Sequence, residues 1–280
     1  MSAPRDQRDF WTNQVGQIWV DERAAMDAIL APVLDRTLAR ARLSAGQTVL
    51  DIGCGAGTST LAVARMVGDQ GHVEGLDISA TLLSSAAARA KGRKNISFTQ
   101  ADAETHVFVP TTFDTIVSRF GVMFFENSEA AFRNIVTALK PQGRISFAAW
   151  GGIEDNPFFT LPAQTARKLL GPTPRSDPDA PGPFALRDPV QIERIFKAAD
   201  LTGQVEVVTE NLIWHAGAKA LAHTLCRIGP AQSALSHHGA DAATQEALIA
   251  ALVRDLAPYD TGAGIVIPAR INYATARKPT

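Results

Sequence analysis

Between residues 48 and 150 the chain alternates two kinds of hydrophobic pattern. Short runs rich in β-branched and large apolar residues have the length and composition of strands: TVLDI (48–52), HVEGLD (72–77), ISFTQ (96–100), FDTIVS (113–118) and RISFAAW (144–150). Between them, SATLLSSAAARAK (79–91) and SEAAFRNIVTALK (128–140) carry the helical period, with Ser79 and Ser128 placed to cap. Lys140-Pro141-Gln142-Gly143 then stops the second helix and turns the chain into the next strand. Strands and helices in this rhythm predict βαβ units and a parallel sheet.

The flanks read differently. Met26, Ile29, Leu30, Val33, Leu34 and Leu38 share one helical face, and Pro32 within that run predicts a kink or two shorter helices. FWTNQVGQIWV (10–20) is rich in tryptophan for an N-terminal arm. Beyond Trp150 the rhythm breaks. Residues 171–189 are crowded with proline and glycine and read as a long ordered loop, after which Asp188-Pro189 opens a helix. A strand follows near QVEVVTE (204–210), then a helical stretch over 216–257 and the strand-like IVIPARINYATA (265–276). The expected organisation is a helical arm (1–44), a core (45–150), a loop or lid insertion (151–189) and a C-terminal part of the core (190–280) with a helical lid insertion over about 211–262.

Bulk properties narrow the partners. The 280 residues are 46% hydrophobic and 20% charged with a formal net charge of −1, so no basic field draws nucleic acid or an anionic membrane. The charged N-terminus is not a secretory signal, and no apolar run is long enough to span a bilayer. Cys54 and Cys226 are too few for a disulfide framework or a zinc cluster, and no paired-acid pattern marks a metal site. A cytoplasmic location with reduced thiols is the expectation.

VLDIGCGAGTST (49–60) carries the chemistry. Its glycines are spaced G-x-G-x-G rather than the dinucleotide G-x-G-x-x-G, and no Gly-Lys-Ser/Thr follows to hold a triphosphate. An acid, Asp51, ends the strand before them. The segment resembles the first motif of class I S-adenosylmethionine-dependent methyltransferases. That resemblance implies a Rossmann-like, seven-stranded, mostly parallel α/β sheet with an N-terminal helical arm and helical lid insertions. It implies that Gly53, Gly55 and Gly57 let the backbone approach the methionine part of the cofactor, and that Asp51 lies near its ammonium. Asp77 ends the second strand, where an acid accepts hydrogen bonds from ribose hydroxyls. Asp102 follows the third strand, where family members aim a carboxylate at the adenine amino group, with Ile78 and Ala103 beside the ring. Thr58, Ser118, Trp19 and Gln14 complete the implied cofactor-binding set.

SRFGVMFF (118–125), LKPQGRISFAAW (139–150) and the GPF-containing loop are similar to the ubiquinone/menaquinone-type branch of small-molecule methyltransferases. The similarity is strong over 45–150 and weaker to about 210. It implies methyl transfer from S-adenosyl-L-methionine to a small acceptor by in-line displacement at the sulfonium, with S-adenosyl-L-homocysteine as product. Whether oxygen, carbon or nitrogen is methylated stays open. The arm and both insertions should stand over one mouth and select an aromatic or hydrophobic acceptor. Candidate pocket residues are Trp11, Phe124 and Trp150, with hydrophobic packing as the alternative role for each, and Tyr259, a hydroxyl donor from the lid. Arg119, His215 and His106 are the candidate catalytic residues, imidazole being a base near neutrality. Two other readings compete: an S-adenosylmethionine-binding protein without turnover, and a NAD-dependent oxidoreductase. A homodimer through the insertions is left open.

Overall fold

The computed structural model describes residues 6–174, 177 and 179–280, with Gln14 described by its backbone alone. The arm comprises α1 (Gln7–Asp9), a π-helical turn (Phe10–Gln14), α2 (Gly16–Asp21), α3 (Arg23–Ile29) and α4 (Ala31–Ala41). Pro32 lies in the first turn of α4, where its missing N–H costs nothing, and the break falls at Leu30. The core then alternates β1 (Thr48–Ile52), α5 (Thr58–Val67), β2 (His72–Asp77), α6 (Ala80–Arg89), β3 (Ile96–Gln100), β4 (Phe113–Arg119), α7 (Ser128–Thr137) and β5 (Leu139–Trp150). After it come α8 (Pro157–Leu170), α9 (Pro189–Ala198), β6 (Thr202–Trp214), α10 (Gly217–Arg227), α11 (Gly229–His237), α12 (Ala242–Leu256) and β7 (Ile265–Arg277).

The seven strands form one sheet in the order β3-β2-β1-β4-β5-β7-β6. β1 to β5 are parallel, and β7 is antiparallel to both β5 and β6. This is the class I methyltransferase type of α/β sheet. Both faces are covered, so β1 is buried along almost its whole length and reads as a continuous apolar run. On one face Leu34, Leu38 and Ala41 of α4 join Val63 and Val67 of α5 against Val49, Val73 and Val117. On the other, Phe132 of α7, Phe147 of β5 and Phe196 of α9 meet at steep angles, with centroids 5.5–6.3 Å apart.

Three boundaries differ from expectation. α7 ends at Thr137 rather than 140, and its cap is Asn127, whose side chain accepts from the Ala130 amide, with Ser128 one position inside. Lys140–Gly143 is a bulge within β5: pairing to β4 passes from Phe113–Leu139 to Thr115–Arg144, with Gln142 at φ 62°. β6 runs on to Trp214, so residues 211–214 are strand rather than the start of the helical insertion. Leu212 and Trp214 are buried while Asn211 and Ile213 are exposed, a one-faced alternation that a helical reading of the stretch misses. Since Trp150 of β5 is level with Ile271 and Val208, residues 209–214 and 265–270 form a two-stranded ribbon standing beyond the carboxyl edge of the sheet.

The segment 151–189 contributes a full helix, α8, and not only loop. It packs with α10, α11 and α12 into one helical cap, joined at one point by the Thr165 hydroxyl donating to Asp255 at 2.6 Å. Among the described residues no helix is long and apolar enough to cross a membrane.

Candidate functional site

The glycines of the loop are bare for different reasons. All three have left-handed φ, at 65°, 54° and 82° for Gly53, Gly55 and Gly57. A Cβ on Gly53 would stand 2.5 Å from the Gly121 α-carbon, and one on Gly57 would stand 2.9 Å from the Ala86 methyl of α6. Only Gly55 has nothing within 4 Å, so only there does the missing side chain leave open space for a ligand. Ser118 holds the floor of this crevice, donating to the Ile52 carbonyl at 2.8 Å and accepting from the Gly121 amide at 3.1 Å.

The strand-end acids are fixed by short contacts. Asp51 is fully buried, and its Oδ2 accepts from the hydroxyls of Ser59 and Thr60 in the first turn of α5, both at 2.6 Å. Its Oδ1 is buried without a partner. Burial raises its pKa to about 6, although the two hydroxyls and the Arg119 charge pull the other way. Asp77 is also buried, accepting from the Gly55 amide at 2.7 Å and the Ser79 amide at 2.8 Å, and burial raises its pKa as well. Asp102 uses one oxygen to accept from the Glu104 amide at 2.9 Å. The Asn134 side chain pins the following loop, donating to the carbonyls of Ala103, Glu104 and His106. Ala103 is buried and Ile78 half-buried beside it.

A cluster that the sequence does not announce flanks the loop. Asp27 of α3 accepts from the Thr58 hydroxyl at 2.5 Å and from Arg119 Nη2 at 3.1 Å, with Arg89 3.8 Å away. Arg89 in turn donates to Thr58 and to the Ala56 carbonyl. Arg119 Nη1 is buried with no partner. Asp27 and Arg89 sit on helices at ordinary solvent-facing positions in the pattern, and Gly121 in a strand-to-loop junction, so no local signal singles them out.

The arm closes over this crevice. Ser79 and Thr81 hydroxyls donate to the carbonyls of Trp11 and Thr12, at 2.8 and 2.9 Å, and Gly16 lets α2 approach α6. The Trp11 ring meets Phe124 edge to face at 5.1 Å and Trp19 at 5.8 Å. The arm's other end is tied to the cap: Glu22 accepts from Thr224 at 2.7 Å and from Arg227 at 2.6 Å. The side chain of Gln14 lies outside the described residues.

Between β4 and the cap stands an aromatic stack. Phe120 is held at φ 65° and lies flat on Trp150, with 4.7 Å between centroids and 6° between planes. Trp150 is buried, stacked on Phe158 and edge-on to Phe159, which meets Phe184. A non-glycine residue at positive φ is strained, and here the strain turns the Phe120 ring onto Trp150.

The two histidines fare differently. His106 is half-buried, its amide donating to the Asp102 carbonyl at 2.8 Å and its ring edge-to-face with Phe108. His215 is exposed at the ribbon tip, with Nδ1 3.2 Å from the Ala263 carbonyl. Tyr259 lies half-buried near the same tip, and among the described residues no hydrogen bond joins either residue to the glycine loop.

Residues 49–143, which span the glycine loop, all three acids and Arg119, match the family described as a methyltransferase domain. The match covers about a third of the chain. The chain is 37% identical, across 106 residues, to aklanonic acid methyltransferase DauC of Streptomyces sp. (strain C5), covering 37% of this chain and 48% of that protein. It is 40% identical, across 105 residues, to the ubiquinone/menaquinone biosynthesis C-methyltransferase UbiE of Enterobacter sp. (strain 638), covering 36% and 41%. The matched segments therefore span less than half the length of these curated relatives. The fold extends further than the sequence similarity. Phosphoethanolamine N-methyltransferase 2 of Haemonchus contortus, solved with S-adenosyl-L-methionine, superimposes with a TM-score of 0.59 at 19% identity, over 99% of this chain and 61% of that one. The matched segment thus runs from β1 through α7 to the start of β5, and the cap and ribbon lie outside it.

Proposed function

We propose that the crevice over the carboxyl ends of β1 and β4 binds S-adenosyl-L-methionine, and that the chain transfers its methyl group to a small acceptor, releasing S-adenosyl-L-homocysteine. One observation carries this reading. Two buried polar atoms of opposite charge lack partners on adjacent strands, Asp51 Oδ1 on β1 and Arg119 Nη1 on β4. An orphaned buried charge costs several kcal/mol unless a ligand satisfies it. An α-amino acid group satisfies both, its ammonium against Asp51 and its carboxylate against Arg119. A nicotinamide dinucleotide offers phosphates and no ammonium, and Asp51 would repel it.

The other residues fit the same ligand. Gly55 leaves the open space; Asp77, oriented by two backbone amides, keeps lone pairs for two ribose hydroxyls; Asp102, Ile78 and Ala103 frame a site for adenine. When bound, the cofactor supplies a methyl group already activated by its sulfonium charge. What remains for the protein is to hold an acceptor close and keep water out. The Phe120–Trp150 stack and Phe159, with Trp11 of the arm and Phe124 after β4, suit a hydrophobic aromatic metabolite. His106, half-buried and next to the Asp102 turn, is the preferred base where the acceptor needs one; exposed His215 is the weaker choice.

Calorimetric titration with S-adenosylhomocysteine, S-adenosylmethionine and NAD, beside Asp51→Asn, tests the reading. Both sulfur ligands should bind at micromolar concentrations, NAD should not, and the variant should lose affinity for both. A folded protein that ignores both sulfur ligands overturns it.

A further inference from the structure

At the amino edge of the sheet, remote from the glycine loop, three local rules are broken in one place. Arg144 of β5 and Arg277 of β7 stand directly opposite each other in the antiparallel ladder, so two like charges leave the same face as neighbours. Arg42 follows α4 in the left-handed conformation, at φ 51°, where glycine or asparagine is the unstrained choice. Burial and the charges of Arg277 and Arg42 all disfavour the Arg144 guanidinium. None of these three side chains has a hydrogen bond or ion pair among the described residues. Arg40, by contrast, is matched by Glu206 and lies over the Tyr273 ring at 4.6 Å.

Arg40, Arg42 and Arg144 line a cavity of about 250 Å³, together with Gln204, Glu206, Tyr273 and Thr275, and Arg277 stands beside it opposite Arg144. The pairing register explains why they converge. Arg277, Thr275 and Tyr273 alternate on one face of β7, with Gln204 opposite Thr275 and Glu206 opposite Tyr273, and α4 covers only part of that face. Unpaired cations gathered around a concavity, at the expense of backbone and cross-strand preferences, call for an anion.

We propose that this cavity is a second ligand site, which takes the phosphoryl group of a small phosphorylated metabolite. Guanidinium groups arriving from a helix end and a strand match a tetrahedral, multiply charged oxyanion, whereas a planar carboxylate is satisfied by one arginine fork. The cavity's small volume, the Glu206 wall and the chain's net charge of −1 disfavour the extended backbone of a nucleic acid. The seven-residue run of β5 from Arg144 to Trp150 places the site about 20 Å from the aromatic stack, so its ligand is distinct from cofactor and acceptor.

The test is thermal unfolding and calorimetry of the whole chain with inorganic phosphate at constant ionic strength, repeated with glycerol 3-phosphate and with phosphatidic acid vesicles. Saturable stabilisation by both soluble ligands identifies the phosphoryl group as what is bound; stabilisation by glycerol 3-phosphate alone identifies a phosphate ester. Arg144→Gln should weaken binding about tenfold, the loss of one charge-assisted contact. Arg42→Gly should raise the melting temperature without phosphate, because it relieves both the backbone conformation and the repulsion, and should blunt the response to phosphate. S-adenosylhomocysteine binding should not change in either variant. No saturable binding of either soluble phosphate, equal binding by both variants, or binding to vesicles alone overturns the proposal.

Discussion

Gly53 and Gly121 stand back to back: a Cβ on Gly53 would come within 2.5 Å of the Gly121 α-carbon, and one on Gly121 within 2.7 Å of that of Gly53. This contact sets how closely the ends of β1 and β4 approach, and therefore the width of the crevice between Asp51 and Arg119. A methyl on either glycine must push the two strand ends apart.

Gly121→Ala should therefore destabilise the protein by about 1–3 kcal/mol, as overpacking does, and weaken S-adenosylhomocysteine binding. Gly55→Ala meets no neighbour, so it should cost only the left-handed backbone penalty, about 1 kcal/mol, while abolishing ligand binding. Thermal unfolding and titration of the two variants separate packing from ligand approach. Equal losses of stability in both would refute the division of roles.

Asp51 couples binding to pH. Its folded pKa, about 6, lies above the ordinary 3.8, so the folded protein holds the proton longer than the unfolded chain. Stability falls as pH rises from about 4 to about 6 and stays lower above that, by about 3 kcal/mol at most. Ammonium binding needs the ionised form, so affinity for S-adenosylhomocysteine should rise over that range and level off above about pH 6. Asp51→Asn should melt higher at pH 7, bind poorly and lose the bend near pH 6. Asp77, whose pKa is also raised by burial, would leave a separate dependence of the same sign in that variant.

Arg119→Gln should weaken S-adenosylhomocysteine by about tenfold or more, the loss of a charge-assisted hydrogen bond. Stability should change little, because Asp27 keeps Thr58 and the nearby Arg89. Arg119→Lys should recover part of the affinity without the fork geometry. An unchanged dissociation constant in Arg119→Gln would remove the carboxylate from its role.

Neither thiol should react at neutral pH. Burial pushes the Cys54 pKa well up, with the charges of Asp77 and Asp51 adding to it, and burial raises that of Cys226 to about 11. A disulfide reagent should label both cysteines in denaturant and neither in the folded protein. Rapid labelling of Cys54 in the native state would show that the glycine loop opens.

The alternation of β-strand and helical patterns from residue 48 to 150 determined the parallel half of the sheet, because each element there buries a face set by its own periodicity. The strand-end positions of Asp51, Asp77 and Asp102 followed directly, since topology puts the carboxyl ends of successive parallel strands at one edge. Tertiary structure alone decided the rest. Asp27 belongs to the site only because α3 crosses the strand ends, and Gly121 matters only because β4 abuts β1; neither has a neighbour in sequence that reveals it. The reach of β6 to Trp214, and with it the exposed place of His215, depended on pairing with a strand more than fifty residues away. Hydrophobic periodicity records which face of an element is buried, not which distant element buries it. The contacts that turn buried faces into a binding site are therefore the part that only the folded chain supplies.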